Sequence, residues 1–317
     1  MTKAYIYRGF PFGEKQELVC ATFDNGSELI TIPHEPAGIF LQDLNGALVA
    51  GASGIDVKSL VGANTAVETI LEVGQAIKGV WRPGLRFNID TALEVRKDEL
   101  ARSKIDLKVL AQKLDDILLY VEPSPNSLAT YGHKLREFLI LACTEVENFW
   151  SYYIALSGKA TSRLTTNDYV ALCAPLYLKE FEVIFTRHPF KQSFKPFEYW
   201  NVTNPTTSLS WYDAYNQAKH NKNASFDKAT LENCLNAIAA NIILFCIRFS
   251  PYELTGGHDN FANLINEHFE IKLNNPDFRS FYVPFMKNFS IGTGVYSGNY
   301  RVGFQNGWDW TVLPFSI

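Results

Sequence analysis

Apolar side chains recur along this chain with two different periods. From Asp90 to Val121, and again from His133 to Phe249, they return every three or four positions, the spacing of amphipathic helices. In the first 90 residues and after Pro251 they come in short runs or alternate, the habit of strands. Residues 1–90 therefore read as a strand-rich region. Leu18–Phe23 and Glu28–Ile32 flank Asp24-Asn25-Gly26, a hairpin signal. Short apolar runs follow at Ile39–Leu41 and Leu48–Val49, and Thr65–Ile77 has the spacing for one helix.

Asp90 is placed to cap a helix that runs to about Val121 and stops at Pro123. Leu100, Leu107, Leu114 and Val121 recur every seven residues on it, with Leu110 and Ile117 between. Two accounts fit that stripe: a coiled-coil seam, or an ordinary packed helix. Past a short linker at Ser124–Ser127, His133–Leu156 is predicted as one helix with Leu135, Phe138, Leu139, Ala142, Val146, Phe149 and Trp150 on its apolar side. Thr166-Asn-Asp168 offers caps for a second helix to about Thr186, ended by His188-Pro189. A polar, aromatic loop to Ser208 follows; loops of that length are uncommon and often functional. Ser208 or Ser210 can cap a third helix through about Asn221, and Asp227 a fourth from Lys228 to Phe249. The tail after Pro251 holds Gly292, Gly294, Gly298, Gly303 and Gly307 with alternating Tyr296, Tyr300, Val302 and Phe304, which predicts a small antiparallel sheet.

Composition narrows the picture without naming a function. The chain has 317 residues and 47% hydrophobic content, enough for a large core. With 29 Lys and Arg against 33 Asp and Glu, its net charge is −4, which argues against a basic coat for nonspecific nucleic-acid binding. The longest uncharged apolar stretch, Asn233–Ile247, carries three Asn and falls short of the roughly 20 residues of a spanning helix, so no membrane partner is expected. Met1–Arg8 has no apolar signal core, and Cys20, Cys143, Cys173, Cys234 and Cys246 form no C-x-x-C pair. Free thiols in a reducing cytoplasm are the expectation, with no metal site and no cofactor. Phosphate-loop, dinucleotide and G-x-S-x-G patterns are absent. His34, His188, His258 and His268 lie near turns or in the tail without matched partners.

The informative segment is Trp211-Tyr212-Asp213-Ala214-Tyr215-Asn216-Gln217-Ala218-Lys219-His220-Asn221-Lys222. On a helix Asn216 and His220 are four apart and share a face, with Asp213 and Lys219 beside them. An imidazole moves protons near neutrality, an ammonium holds a phosphate, and a carboxamide orients either. From Arg187 to Lys222 five basic side chains stand against two acidic ones, Glu198 and Asp213. Glu145 and Glu147 lie on different faces of the His133–Leu156 helix. One of them could bond His220 or Asn216 and raise the imidazole pKa, or the group could be a buried network that only specifies the core.

Tyr215-Asn216-x-x-Lys219-His220, with Arg136-Glu137 and Ala142-Cys143-Thr144-Glu145-Val146-Glu147, resembles the HEPN superfamily of helical domains over about residues 130–250. The resemblance implies a helical bundle that dimerises, and a metal-independent endoribonuclease in phage defence or a toxin system. It places Asn216 at the polar position and His220 at the final position of the family's Arg-polar-x-x-x-His motif, as the general acid–base residue. Tyr215 stands where the family carries Arg, and Tyr has no charge at neutral pH; losing one such stabiliser costs about 10²- to 10³-fold. Lys219 and Lys222 are the candidate phosphate contacts, and Glu145, Glu147 and Asp213 the supporting residues. The alternative is a non-catalytic dimerisation module. The expected class is α+β: a HEPN-like antiparallel bundle at 129–250, a strand-rich domain at 1–90, a long helix and linker at 91–128, and a β-rich extension at 251–317. Expected partners are a second copy through the bundle, RNA, and a protein bound by the N-terminal region.

Overall fold

The computed structural model describes residues 66–72, 74–85, 88–187, 189–220, 222–255, 260–282 and 308–317, with the backbone of strands at 4–9, 18–23, 28–31, 48–50, 285–286 and 294–296. It is a mixed α+β chain with small sheets. Two compact units divide it: residues 1–95 with 275–313, and residues 96–274 with 314–317. The Asn25-Gly26 turn, Ile39–Leu41, His34, His188, His258, Asn221 and the Tyr300–Phe304 alternation lie outside the described residues.

In the first unit β1 (Ala4–Gly9), β2 (Leu18–Phe23), β3 (Glu28–Thr31) and β5 (Ala66–Glu68) form an antiparallel sheet in the order β3-β2-β1-β5. The β2–β3 pairing is the expected hairpin, with Val19 opposite Thr31 and Thr22 opposite Glu28. The helix expected over Thr65–Ile77 is not formed. That stretch holds β5 and β6 (Gln75–Ile77), separated by Gly74 at φ 81, and β6 pairs in parallel with β13 (Thr311–Leu313). A partner at the far end of the chain overrides the local period. In the tail, β11 (Gly294–Tyr296) pairs with β4 (Leu48–Ala50) of the N-terminal region, and among the described residues the antiparallel pairing within the tail is that of β10 (Phe285–Met286) with β12 (Trp308–Asp309).

Gly84 carries one tight constraint of this unit. It takes φ +94, and a Cβ built there would fall 1.7 Å from the Tyr282 carbonyl oxygen. The Tyr282 amide donates to the Pro83 carbonyl at 2.8 Å, so the two backbones are already hydrogen-bonded. Gly84→Ala is expected to cost more than about 2 kcal/mol through strain and displacement of that strand-like contact. Urea unfolding of the variant checks it; an unchanged midpoint means the close approach is absent.

The second unit is built on α1 (Lys97–Leu118), α2 (His133–Leu156), α3 (Ser210–His220), α4 (Leu231–Phe249) and α5 (Asn260–Asn266). The helix expected from Asp90 to Val121 is two: Ile89–Ala92, then a break at Glu94 (φ 49), then α1 from Lys97. Asp90 sits within the first of these rather than capping the second. The stripe on α1 is an ordinary packed one: Leu107, Leu110, Leu114 and Ile117 are buried within this unit.

Alternating three- and four-residue steps at Leu135, Leu139, Ala142, Val146, Phe149 and Tyr153 give α2 a continuous seam against α4. The Cys234 thiol donates to the Leu135 carbonyl, and Asn241 Nδ2 to the Ala142 carbonyl, while Phe149 meets Phe249. Those pairs advance together, so α2 and α4 run parallel. Against α1 and α3 the direction reverses: Lys113 meets Glu137 near the start of α2, and Arg136 meets Ala218 while Glu147 meets Tyr212. Gly158 (φ 79) closes α2, its amide donating to Ala155 and that of Lys159 to Ile154, a Schellman turn.

Helix α4 begins later than Asp227 suggests. Thr230 is its cap and its hydroxyl accepts from the Asn233 amide. Nearly all its side chains are buried, so it is the central helix of the unit. Among the described residues it is also the helix long and apolar enough to cross a membrane, with 83% of that stretch buried.

The second helix expected from Thr166 to Thr186 is replaced. A capping box of Thr165 and Asp168 starts one helical turn, Thr166–Tyr169. Tyr177 (φ 53) then breaks direction, and Phe181–Arg187 becomes β7, rich in β-branched and aromatic residues. It lies between β8 (Phe190–Phe194) and β9 (Phe269–Leu273), antiparallel to both. The expected loop to Ser208 therefore contains a strand, and its remainder anchors the core. Trp200 is buried, stacks on Trp150 at 5.0 Å and donates Nε1 to the Pro205 carbonyl. His268, read as unmatched, is buried and bonded to Asp115.

Candidate functional site

Helix α3 begins at Ser210, while the Ser208 hydroxyl accepts from the Asn201 amide. Trp211, Tyr212, Ala214, Tyr215 and Ala218 are its buried face. Trp211 Nε1 donates to the Pro196 carbonyl at 2.8 Å, and Arg136 Nε of α2 donates to the Ala218 carbonyl at 3.0 Å. These two bonds fix both ends of the helix. Arg136 thereby has a structural task that its place in the sequence did not disclose.

A polar chain crosses the α2–α3 contact. Tyr212 donates its hydroxyl to Glu147 Oε1 at 2.5 Å. Burial pushes the Tyr212 phenol far above its ordinary range, and the Glu147 carboxylate pushes it further. The Tyr215 ring lies 5.3 Å from that of Tyr212 and is fully buried. Lys219 Nζ donates to the Tyr215 hydroxyl at 2.7 Å and sits 5.0 Å from its ring centroid. Burial raises the Tyr215 pKa, opposed by the Lys219 bond; the same bond raises that of Lys219. Tyr215 is therefore a neutral phenol and Lys219 a held ammonium. Beneath them the buried Cys143 thiol is pushed up by burial, so it is no nucleophile.

The expected carboxylate contact to Asn216 or His220 is not made. Glu147 is taken by Tyr212, and Glu145 accepts from Asn148 Nδ2 at 3.1 Å on the α1 side of α2. Asp213 accepts from Gln217 at 2.6 Å rather than engaging Asn216. His220 is exposed and Asn216 half-buried, and among the described residues neither side chain has a hydrogen-bond partner. A buried Glu–His–Asn core network is thus not what these residues form. Lys222 opens the short helix Lys222–Ser225, and its side chain lies outside the described residues.

The basic excess along this stretch is partly cancelled. Lys191 pairs with Glu270 and Lys195 with Glu198. Trp150, Trp200, Trp211 and Tyr215 are all buried, so none offers a ring for base stacking. Comparison with family models, curated proteins and solved structures returns no significant match. The chemistry must be argued from these side chains alone. Cys143, Cys173, Cys234 and Cys246 are free and buried, and among the described residues no three His, Cys, Asp or Glu side chains are grouped to hold a metal. Sequence inspection missed Tyr212, whose place three residues before Tyr215 puts both on one helical face. It also missed that Glu147 is the partner of that phenol.

Proposed function

We propose that this chain is a HEPN-like, RNA-directed protein acting in the cytoplasm, and that its reaction is metal-independent cleavage of RNA in phage defence or a toxin system. One observation carries the proposal: exposed His220 and half-buried Asn216, one turn apart, have no side-chain partner among the described residues and stand beside an ammonium held by Tyr215. Consecutive long helices that reverse direction support a HEPN-like bundle, with α2 and α4 as its parallel central pair. In this reading His220 transfers the 2′-hydroxyl proton, Asn216 orients the phosphate, and Lys219 supplies the charge that Tyr215 lacks. Being held, Lys219 loses part of the freedom that makes an ammonium a poor substitute for a guanidinium.

Labelled single-stranded RNA incubated with protein and EDTA tests this. Wild type should cleave, and His220→Ala should lose about 10²- to 10⁴-fold in rate. Lys219→Ala should lose about 10²- to 10³-fold and flatten the salt dependence of binding. RNA that wild type neither binds nor cleaves would sink the proposal.

A second reading has its own observation. Tyr215, at the family's Arg position, is fully buried and spends its hydroxyl on Lys219, so it presents nothing to a phosphate. On that ground the bundle would be a non-catalytic dimerisation module, with a protein partner for the N-terminal region. Sedimentation would then report a dimer while RNA titrations stay flat.

A further inference from the structure

We propose that the cavity between α1, α2 and α4 binds a small organic ammonium ion. The cavity holds about 210 Å³ and opens to solvent. An apolar cavity of about 150 Å³ takes benzene, so there is room for one ring and a short aminoalkyl arm. Phe149 and Tyr152 supply aromatic wall, and Leu107 adds aliphatic surface.

The polar groups of this cavity are mostly acceptors. Asn241 is 2% exposed, and its Nδ2 donates to the Ala142 and Ala237 carbonyls, both at 2.9 Å. Those two bonds fix the amide orientation and leave Oδ1 without a donor among the described residues, on a side chain that lines the cavity. A carbonyl oxygen left open on so enclosed a side chain calls for a donor. Glu145 and Asp106 line it too, and among the described residues neither is in an ion pair. Burial raises both carboxyl pKa values, and Asp106 raises that of Glu145 further. The third acid, Glu99, is already matched by Arg248. A ligand that brings N–H donors and positive charge to Oδ1, Glu145 and Asp106, with an apolar body against Phe149, satisfies all of them at once. Divalent metal does not: no group of three ligating side chains forms here among the described residues.

Isothermal titration of the full chain with benzylamine, phenethylamine and butylamine tests the site. At least one should bind, and benzyl alcohol should bind at least about tenfold weaker than benzylamine, one charged hydrogen bond being worth that much. Glu145→Gln should weaken the amine about tenfold or more. That variant removes a charge whose burial is unfavourable, so at neutral pH it should melt no lower than wild type, and lost binding will not be lost folding. Any gain should shrink as pH falls through the raised Glu145 pKa, where the native carboxyl is neutral too. Equal binding of benzyl alcohol, an unaffected Glu145→Gln, or binding of a lysine-containing peptide while none of the three small amines binds would each overturn the proposal.

Discussion

Trp150→Ala is expected to destabilise the helical unit by about 3–5 kcal/mol, a loss of roughly 6–20 °C in melting temperature. Trp150 is fully buried, with ring centroids 5.0 Å from Trp200, 5.0 Å from Tyr169 and 5.1 Å from Tyr212. Three other segments, at Tyr169, Trp200 and Tyr212, converge on this one ring, so truncation leaves a cavity that cannot collapse from one side. Trp150→Phe should cost far less. The indole Nε1 is buried with no hydrogen-bond partner, and phenylalanine removes that orphan donor, which offsets part of the lost packing. Calorimetry of the two variants separates the effects; a Phe variant as unstable as the Ala variant would mean that a hydrogen bond, not packing, dominates here. The Ala variant should also loosen Tyr212 and, through it, the Glu147 bond that seats α3.

How much of this was legible beforehand depended on where each element finds its partner. Helix α2 declared both ends in the sequence, because an amphipathic period sustained through His133–Leu156 is a local property. The strand Phe181–Arg187 did not: it is flanked by strands at Phe190 and Phe269, and nothing within seven residues reports the second. The same holds for Gln75–Ile77, matched at Thr311. At α4 the sequence pointed to Asp227, whereas the cap is Thr230: its hydroxyl accepts from the Asn233 amide, and the next amide, that of Leu231, donates to the Thr130 carbonyl, a partner a hundred residues away that no local pattern reports. At the candidate site, helix periodicity was enough to put Asn216 and His220 on one face. It could not show that Tyr215 is buried, or that Glu147 prefers Tyr212, since both follow from how α3 packs on α2.

Arg248→Met is expected to cost about 3 kcal/mol, and the loss should be largely recovered by adding Glu99→Leu. Arg248 Nε and Nη2 each donate to a Glu99 carboxylate oxygen at 2.8 Å, and its guanidinium lies 4.9 Å from the Tyr152 ring centroid and 5.1 Å from that of Phe249. The arginine side chain is 2% exposed and that of Glu99 24%, so water cannot replace the lost partner well. Methionine keeps most of the packing volume, which isolates the electrostatic part. The double variant removes both charges, and its cycle should give a coupling of at least about 1.5 kcal/mol. Glu99 also lines the cavity below α2. In Arg248→Met its carboxylate joins Glu145 and Asp106 unmatched, so a bound ammonium should gain affinity while the fold loses stability. Thermal melts with and without benzylamine measure both at once. The variant should start lower and be raised more by the amine than wild type; an equal rise in the two would mean that Glu99 does not reach the ligand.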